Sequence, residues 1–132
     1  MVLERLDGTY DETNEVGQYP LYNTVAGVVV TGNEDGAPDA PATTLFNLSH
    51  LGCTVPPNAD PYWVGDAGPG PSFIEAKGWH HPYTQKTTSF MAHNLVYLAR
   101  LLNDDPIPAE GNPATSWHPP GEAHKQPAGH VA

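Results

Sequence analysis

The stretch Thr31-Gly32-Asn33-Glu34-Asp35-Gly36-Ala37 gathers two glycines, an amide and two carboxylates directly after the apolar run at residues 25–30. Glycine lets a backbone approach a flat ligand closely, and N–H groups at a helix start favour electron-rich oxygen or nitrogen atoms. In open α/β sheets ligands bind in the crevice outside the C-terminal ends of the strands, which is where this loop would lie. Asn, Asp and Gly also build any tight turn, so pattern alone leaves a ligand loop and an ordinary strand-to-helix turn both open. The loop lacks the Lys and Ser/Thr of a nucleoside-triphosphate loop and the full glycine spacing of a dinucleotide fingerprint.

Other residues with chemical potential carry less. Gly65-Asp66-Ala67-Gly68-Pro69-Gly70-Pro71 has glycines, but its prolines remove donors and no lysine follows; it reads as loop. His80-His81 lacks the acidic or thiol partners of a metal site and reads as part of a lid. Cys53, the single cysteine, has no basic neighbour to lower its pKa and excludes an internal disulfide. Tyr62 and Trp63 read as anchors tying a loop to the core. Asn47-Leu48-Ser49 matches a glycosylation acceptor by chance, and His118, His124 and His130, six apart, carry no structural meaning.

The elements that would position the loop follow from hydrophobic pattern. Val2, Leu3 and Leu6 make one turn of helix, stopped at Asp7-Gly8, and a polar loop follows to Asn23. Val25-Ala26-Gly27-Val28-Val29-Val30-Thr31 does not alternate, so it reads as a strand buried on both faces at a parallel-sheet centre. A helix is expected over 39–51, capped by Asp39 or Ala40, with Pro41 in its first turn and Gly52 as left-handed terminator. Its buried side would be Ala42, Leu45, Phe46, Leu48 and Leu51. Cys53-Thr54-Val55 then forms a short strand cut off by Pro56-Pro57, completing a strand–helix–strand unit. Residues 56–83 form a Pro/Gly-rich loop with five aromatic residues, which marks a functional or poorly ordered segment. The best helix covers 84–103, with Met91, Leu95, Leu98 and Leu102 in its stripe and Phe90 and Leu101 widening it.

These motifs resemble a known family. The run from Val25 to Ala37, the segment Leu51-Gly52-Cys53-Thr54-Val55-Pro56-Pro57-Asn58-Ala59-Asp60 and Tyr62-Trp63-Val64-Gly65 are similar to flavodoxin-like NAD(P)H-dependent oxidoreductases of the FMN reductase group. The resemblance covers about residues 1–105 and corresponds to the C-terminal part of that domain. It implies an incomplete α/β, flavodoxin-like three-layer parallel sheet, its N-terminal strands and phosphate-binding loop having no counterpart here. It also implies FMN as cofactor and NAD(P)H as hydride donor, with electrons passed through the flavin to an acceptor. The loop matching Gly32 to Ala37 would approach the isoalloxazine ring, giving Thr31, Gly32, Asn33, Glu34, Asp35, Gly36 and Ala37 as cofactor-binding candidates. Family members often carry two histidines where this chain has Pro38-Asp39. Glu34 and Asp35, if near the ring, would disfavour its anionic reduced form. No side chain need act as acid or base, because the cofactor carries the chemistry.

Composition bounds the alternatives. The 132 residues fit one domain, expected over 1–105, followed by a disordered Pro/Gly-rich tail at 106–132. Prolines and glycines number 15 and 13, above average usage, and charged residues are only 15% against a typical ~25%. Five Lys+Arg against fifteen Asp+Glu give a net charge of −10, too few cations for nucleic acid or an anionic membrane. No apolar run spans a bilayer and no secretory signal is visible, so a cytoplasmic location is expected. Two strands and two good helices leave one sheet edge unpaired. The rival reading is therefore a non-catalytic half-domain that pairs with a partner or itself as a homo-oligomer, or a truncated product without activity of its own.

Overall fold

A computed structural model describes residues 2–33 and 36–110. Its elements are α1 (Val2–Asp7), β1 (Val30–Gly32), α2 (Asp39–His50), β2 (Tyr62–Val64), a 3-10 turn (Gly78–His80) and α3 (Pro82–Asp104). β1 and β2 pair in parallel, Val30 opposite Tyr62 and Gly32 opposite Val64, with α2 in the connection between them. A parallel pair needs such a crossover. The architecture is a mixed α/β unit with a small parallel sheet, compatible with an incomplete α/β domain.

The pairing starts upstream of the regular strand. The Thr54 N–H donates to the Thr24 carbonyl (2.9 Å) and Ala26 N–H to the Thr54 carbonyl (3.1 Å). Further along, Val28 N–H donates to Ala59 (2.8 Å), Val30 N–H to Pro61 (3.2 Å) and Gly65 N–H to Gly32 (2.8 Å). Val25 faces Thr54 while Val30 faces Tyr62, so the second strand carries three more residues than the first over this stretch. The excess is expelled where Pro56 and Pro57 have no N–H to donate, and Asn58 turns the chain with φ 55°. Asn94 Nδ2 on α3 donates to the Pro57 carbonyl (2.8 Å) and pins this excursion.

The expected strand at 53–55 is thus a single bridge, and its true continuation, β2, lies in what the sequence presented as loop. The expectation that residues 25–31 are buried on both faces also fails: Val29 is 54% exposed and Gly27 and Thr31 are exposed too. The reason is the single neighbour; among the described residues nothing pairs with the other edge.

The helices follow their patterns in part. Gly52 terminates α2 at φ 106°, and a Cβ there would strike the Tyr22 ring. Pro38, not Asp39 or Ala40, occupies the cap position and makes no side-chain cap bond, while Pro41 is fully buried. Leu51 is buried and Leu45 and Leu48 half-buried, but Ala42 and Phe46 face outward, Phe46 being 63% exposed. On α3 the buried side runs through Thr84, Met91, Leu95, Leu98 and Leu102, whereas Phe90 and Leu101 lie outside it. Gly27 lets α3 approach the extended segment: a Cβ there would lie 2.6 Å from Met91 Sδ and 3.2 Å from Leu95 Cδ1.

Residues 106–110, expected to begin the tail, run against the 14–23 loop. Buried Gln18 donates from Nε2 to the Ile107 carbonyl (2.9 Å), and Ile107 N–H donates to Asn23 Oδ1 (2.7 Å). Residues 111–132, with His118, His124 and His130, lie outside the described residues.

Candidate functional site

A cleft of about 410 Å³ opens at the C-terminal end of β1, lined by Thr31, Gly32, Asn33, Trp63, Gly70, Ser72, Phe73 and Glu75. That size lies within the roughly 300–1,000 Å³ of small-molecule sites. β1 delivers Thr31 and Gly32, and the register sets Thr31 beside Trp63 on β2. Gly32 has ordinary backbone angles and a Cβ there would meet nothing within 4 Å, so its bareness leaves cleft space that a side chain would occupy.

The opposite wall is the segment after β2. Asn33 Nδ2 donates to the Gly70 carbonyl (2.9 Å) and to that of Pro71 (3.2 Å), drawing the loop across the strand end. At Gly65 a Cβ would lie 2.5 Å from the Trp63 ring and 2.9 Å from Asn33 Oδ1. Ser72 and Glu75 then form a reciprocal turn. Ser72 N–H and Oγ–H donate to Glu75 Oε2 (2.9 and 2.7 Å), and Glu75 N–H donates back to Ser72 Oγ (3.3 Å). Both Ser72 bonds favour the charged carboxylate and hold Glu75 below its ordinary pKa. The cleft therefore carries a negative charge at neutral pH, and none of the described residues lining it is basic.

Aromatic packing holds this wall. Phe73 meets Trp63 edge-on at 5.4 Å between centroids and Trp79 at 6.3 Å. The chain approaches Phe73 so closely at Gly78 that a Cβ there would overlap the ring. His81 caps α3, its Nδ1 accepting from Thr84 N–H (3.4 Å), and Thr84 Oγ1 donates to the Tyr62 carbonyl (3.4 Å). The histidine pair read as lid is thus a helix start, with His80 against Trp79. No cluster of three or more His, Cys, Asp or Glu among the described residues could hold a metal.

Of the seven loop candidates, Thr31, Gly32 and Asn33 line the cleft. Gly36 is exposed and Ala37 is buried beside the start of α2, away from the cleft lining. Glu34 and Asp35 lie outside the described residues. Sequence reasoning missed Trp63, Gly70, Ser72, Phe73 and Glu75. The Ser-x-x-Glu spacing at 72–75 is a turn-starting signature that points to this wall. Cys53 is half-buried and its thiol is pushed up by burial, which keeps it protonated at neutral pH.

No family model matches the chain. It is 47% identical over 106 residues to 8-demethyl-8-aminoriboflavin-5'-phosphate synthase of Streptomyces davaonensis, a match covering 80% of this chain and 41% of the synthase. The crystal structure of RosB with the bound intermediate 8-demethyl-8-formylriboflavin-5'-phosphate superposes with a TM-score of 0.74 at 47% identity, over 80% of this chain and 42% of that one. A divalent metal cation transporter, MntH of Mycobacterium bovis, is 40% identical over 122 residues, 91% of this chain but 17% of the transporter. The chain is homologous to part of a flavin-processing enzyme and spans about two fifths of its length. Among the described residues no helix is long and apolar enough to cross a membrane.

Proposed function

We propose that this chain supplies one wall of a flavin-phosphate site, in an incomplete flavodoxin-like domain, and that the cleft at the end of β1 receives the edge of the isoalloxazine ring. The observation that carries the reading is the coincidence of two facts. The homologous structure holds a flavin phosphate, and the cleft lies at the strand end where α/β folds bind ligands, with Gly32 leaving it open.

The charge arrangement assigns the parts of the ligand. Glu75 is anionic and no described lining residue is basic, so this cleft suits the ring and repels the phosphate. Thr31 and Asn33 offer polar contacts at a ring edge, and Trp63 and Phe73 offer apolar contact. A bound flavin supplies a ring that accepts and donates hydride; the residues here hold and orient it and exclude water from one side. The family resemblance supports FMN as cofactor with NAD(P)H as donor. The match to an aminoriboflavin-phosphate synthase favours a second use, in which the flavin phosphate is itself the substrate.

Flavin titration tests the reading. Riboflavin and FMN added to the purified chain should both lose fluorescence with similar affinity, because the wall here contacts the ring. Absence of quenching by either flavin at millimolar concentration overturns the proposal. Added NADH then separates the two uses: bleaching of the bound flavin at 450 nm supports the cofactor role, and unchanged absorbance supports the substrate role.

A further inference from the structure

The backbone of residues 24–32 is one-sided. Thr24, Ala26, Val28, Val30 and Gly32 direct their N–H or C=O groups toward Thr54 and residues 59–65. By the same alternation Val25, Gly27, Val29 and Thr31 direct theirs to the opposite edge, where no described residue meets them. A row of open donors and acceptors on an extended, apolar segment is a template for another strand. The helix above it is open on the same side. Tyr83 packs against Tyr62 and Asn94 bonds to Pro57, which turns that flank of α3 toward residues 57–62. The other flank, with Leu95 over Gly27, carries exposed Ala92, Val96 and Ala99, small enough for close approach of a further element.

We infer that residues 25–31 form a docking edge. Its occupant is a strand from a polypeptide segment equivalent to the part of the synthase fold that has no counterpart in this chain. Two observations choose this occupant over a second copy. The synthase homologue superposes well on 80% of this chain, yet more than half of its own chain lies beyond the match. The edge also runs directly into Thr31 and Gly32, so a strand added there reaches the cleft and supplies the wall that this chain leaves open. The inference rests on the flavin-site reading for its choice of partner.

The test co-expresses the full 132-residue chain with the unmatched portion of the Streptomyces davaonensis synthase, and in parallel joins the two as one chimeric chain. Co-purification is expected, with amide hydrogen exchange at Val25, Gly27, Val29 and Thr31 slowed about tenfold or more against the chain alone. Val28 and Val30, already bonded inward, should change little. Val29→Pro removes one outward donor and should abolish association, whereas Val29→Thr should preserve it. The inference is overturned if the edge amides stay fast in the complex or the chimera. It is equally overturned if neither format yields a folded assembly while the intact synthase folds, or if the chain alone forms a dimer that protects the same amides. Exchange is read without flavin, and flavin quenching is read on the chain alone, so the failure of one is distinguishable from the failure of the other.

Discussion

Gly32→Leu separates ligand binding from folding. Gly32 lies in β1 with ordinary backbone angles, and a Cβ there would have no neighbour within 4 Å. The first carbon of a leucine side chain therefore enters open space at a residue that lines the cleft, where the side chain is expected to take up volume. Glycine within a strand is worth roughly 0.5–1 kcal/mol less than a residue with a side chain, so the variant should be as stable as the parent or slightly more so. On the proposed placement the ring would lose its seat. By analogy with flat bases on protein surfaces, one stacked ring is worth about 1–3 kcal/mol. At 1.4 kcal/mol per factor of ten, riboflavin affinity should fall roughly 5- to 150-fold. Flavin fluorescence titration gives the affinity, and a urea melt of the same preparation gives stability. Unchanged affinity with unchanged stability refutes the placement of the ring. A fall in both would show that the site at Gly32 is structural, against the open space found there.

Three further outcomes follow from the packing and the charges. Met91→Ala should cost about 2–5 kcal/mol in urea unfolding, because Met91 on α3 is buried against Gly27, whereas Phe46→Ala on the exposed flank of α2 should stay within about 0.5 kcal/mol of the parent. Gly78→Ala forces Phe73 away from Trp63 and Trp79. It should cost about 1–3 kcal/mol and weaken flavin binding, both measurable on one sample. Glu75 titrates below the ordinary carboxylate range because Ser72 bonds its charged form. Its stabilising contribution is present above the usual carboxylate pKa and is lost as pH falls through the lowered one. Ser72→Ala should move the Glu75 carboxyl titration upward, toward the ordinary value, in a carbon-detected NMR series; an unmoved titration would exclude Ser72 as the cause.

How much of this was legible depends on whether the signal was local. The stripe Met91, Leu95, Leu98 and Leu102 and the terminator Gly52 were readable because helix periodicity and left-handed turns are written within a few residues. The strand order was readable only in outline. Val25 to Val30 has the composition of a strand covered on both sides, yet among the described residues only one edge is paired, and no local pattern reveals that. β2 was hidden for the opposite reason. Tyr62-Trp63-Val64 is a strand by composition, but prolines at 56, 57 and 61 and the glycines that follow dilute it below any window average. Pairing with Val30 through Gly32 overrides that dilution, since the Pro61 carbonyl can accept although its nitrogen cannot donate.

The cleft shows the same division between local and long-range signals. Thr31, Gly32 and Asn33 could be singled out because strand ends in α/β folds bind ligands as a rule of topology. Trp63, Phe73 and Glu75 reach the same cleft from residues 63–75, brought there by the parallel register and by Asn33 grasping the Gly70 and Pro71 carbonyls. That amide changes the meaning of the first loop. Its Nδ2 is committed to holding the second wall, so the residue type that suggested ligand contact also ties the two sides of the cleft together. A turn residue and a ligand residue were alternatives in the sequence; at Asn33 the amide bridges to the second wall and so gives the cleft its shape, which is a positioning role whichever of the two applies.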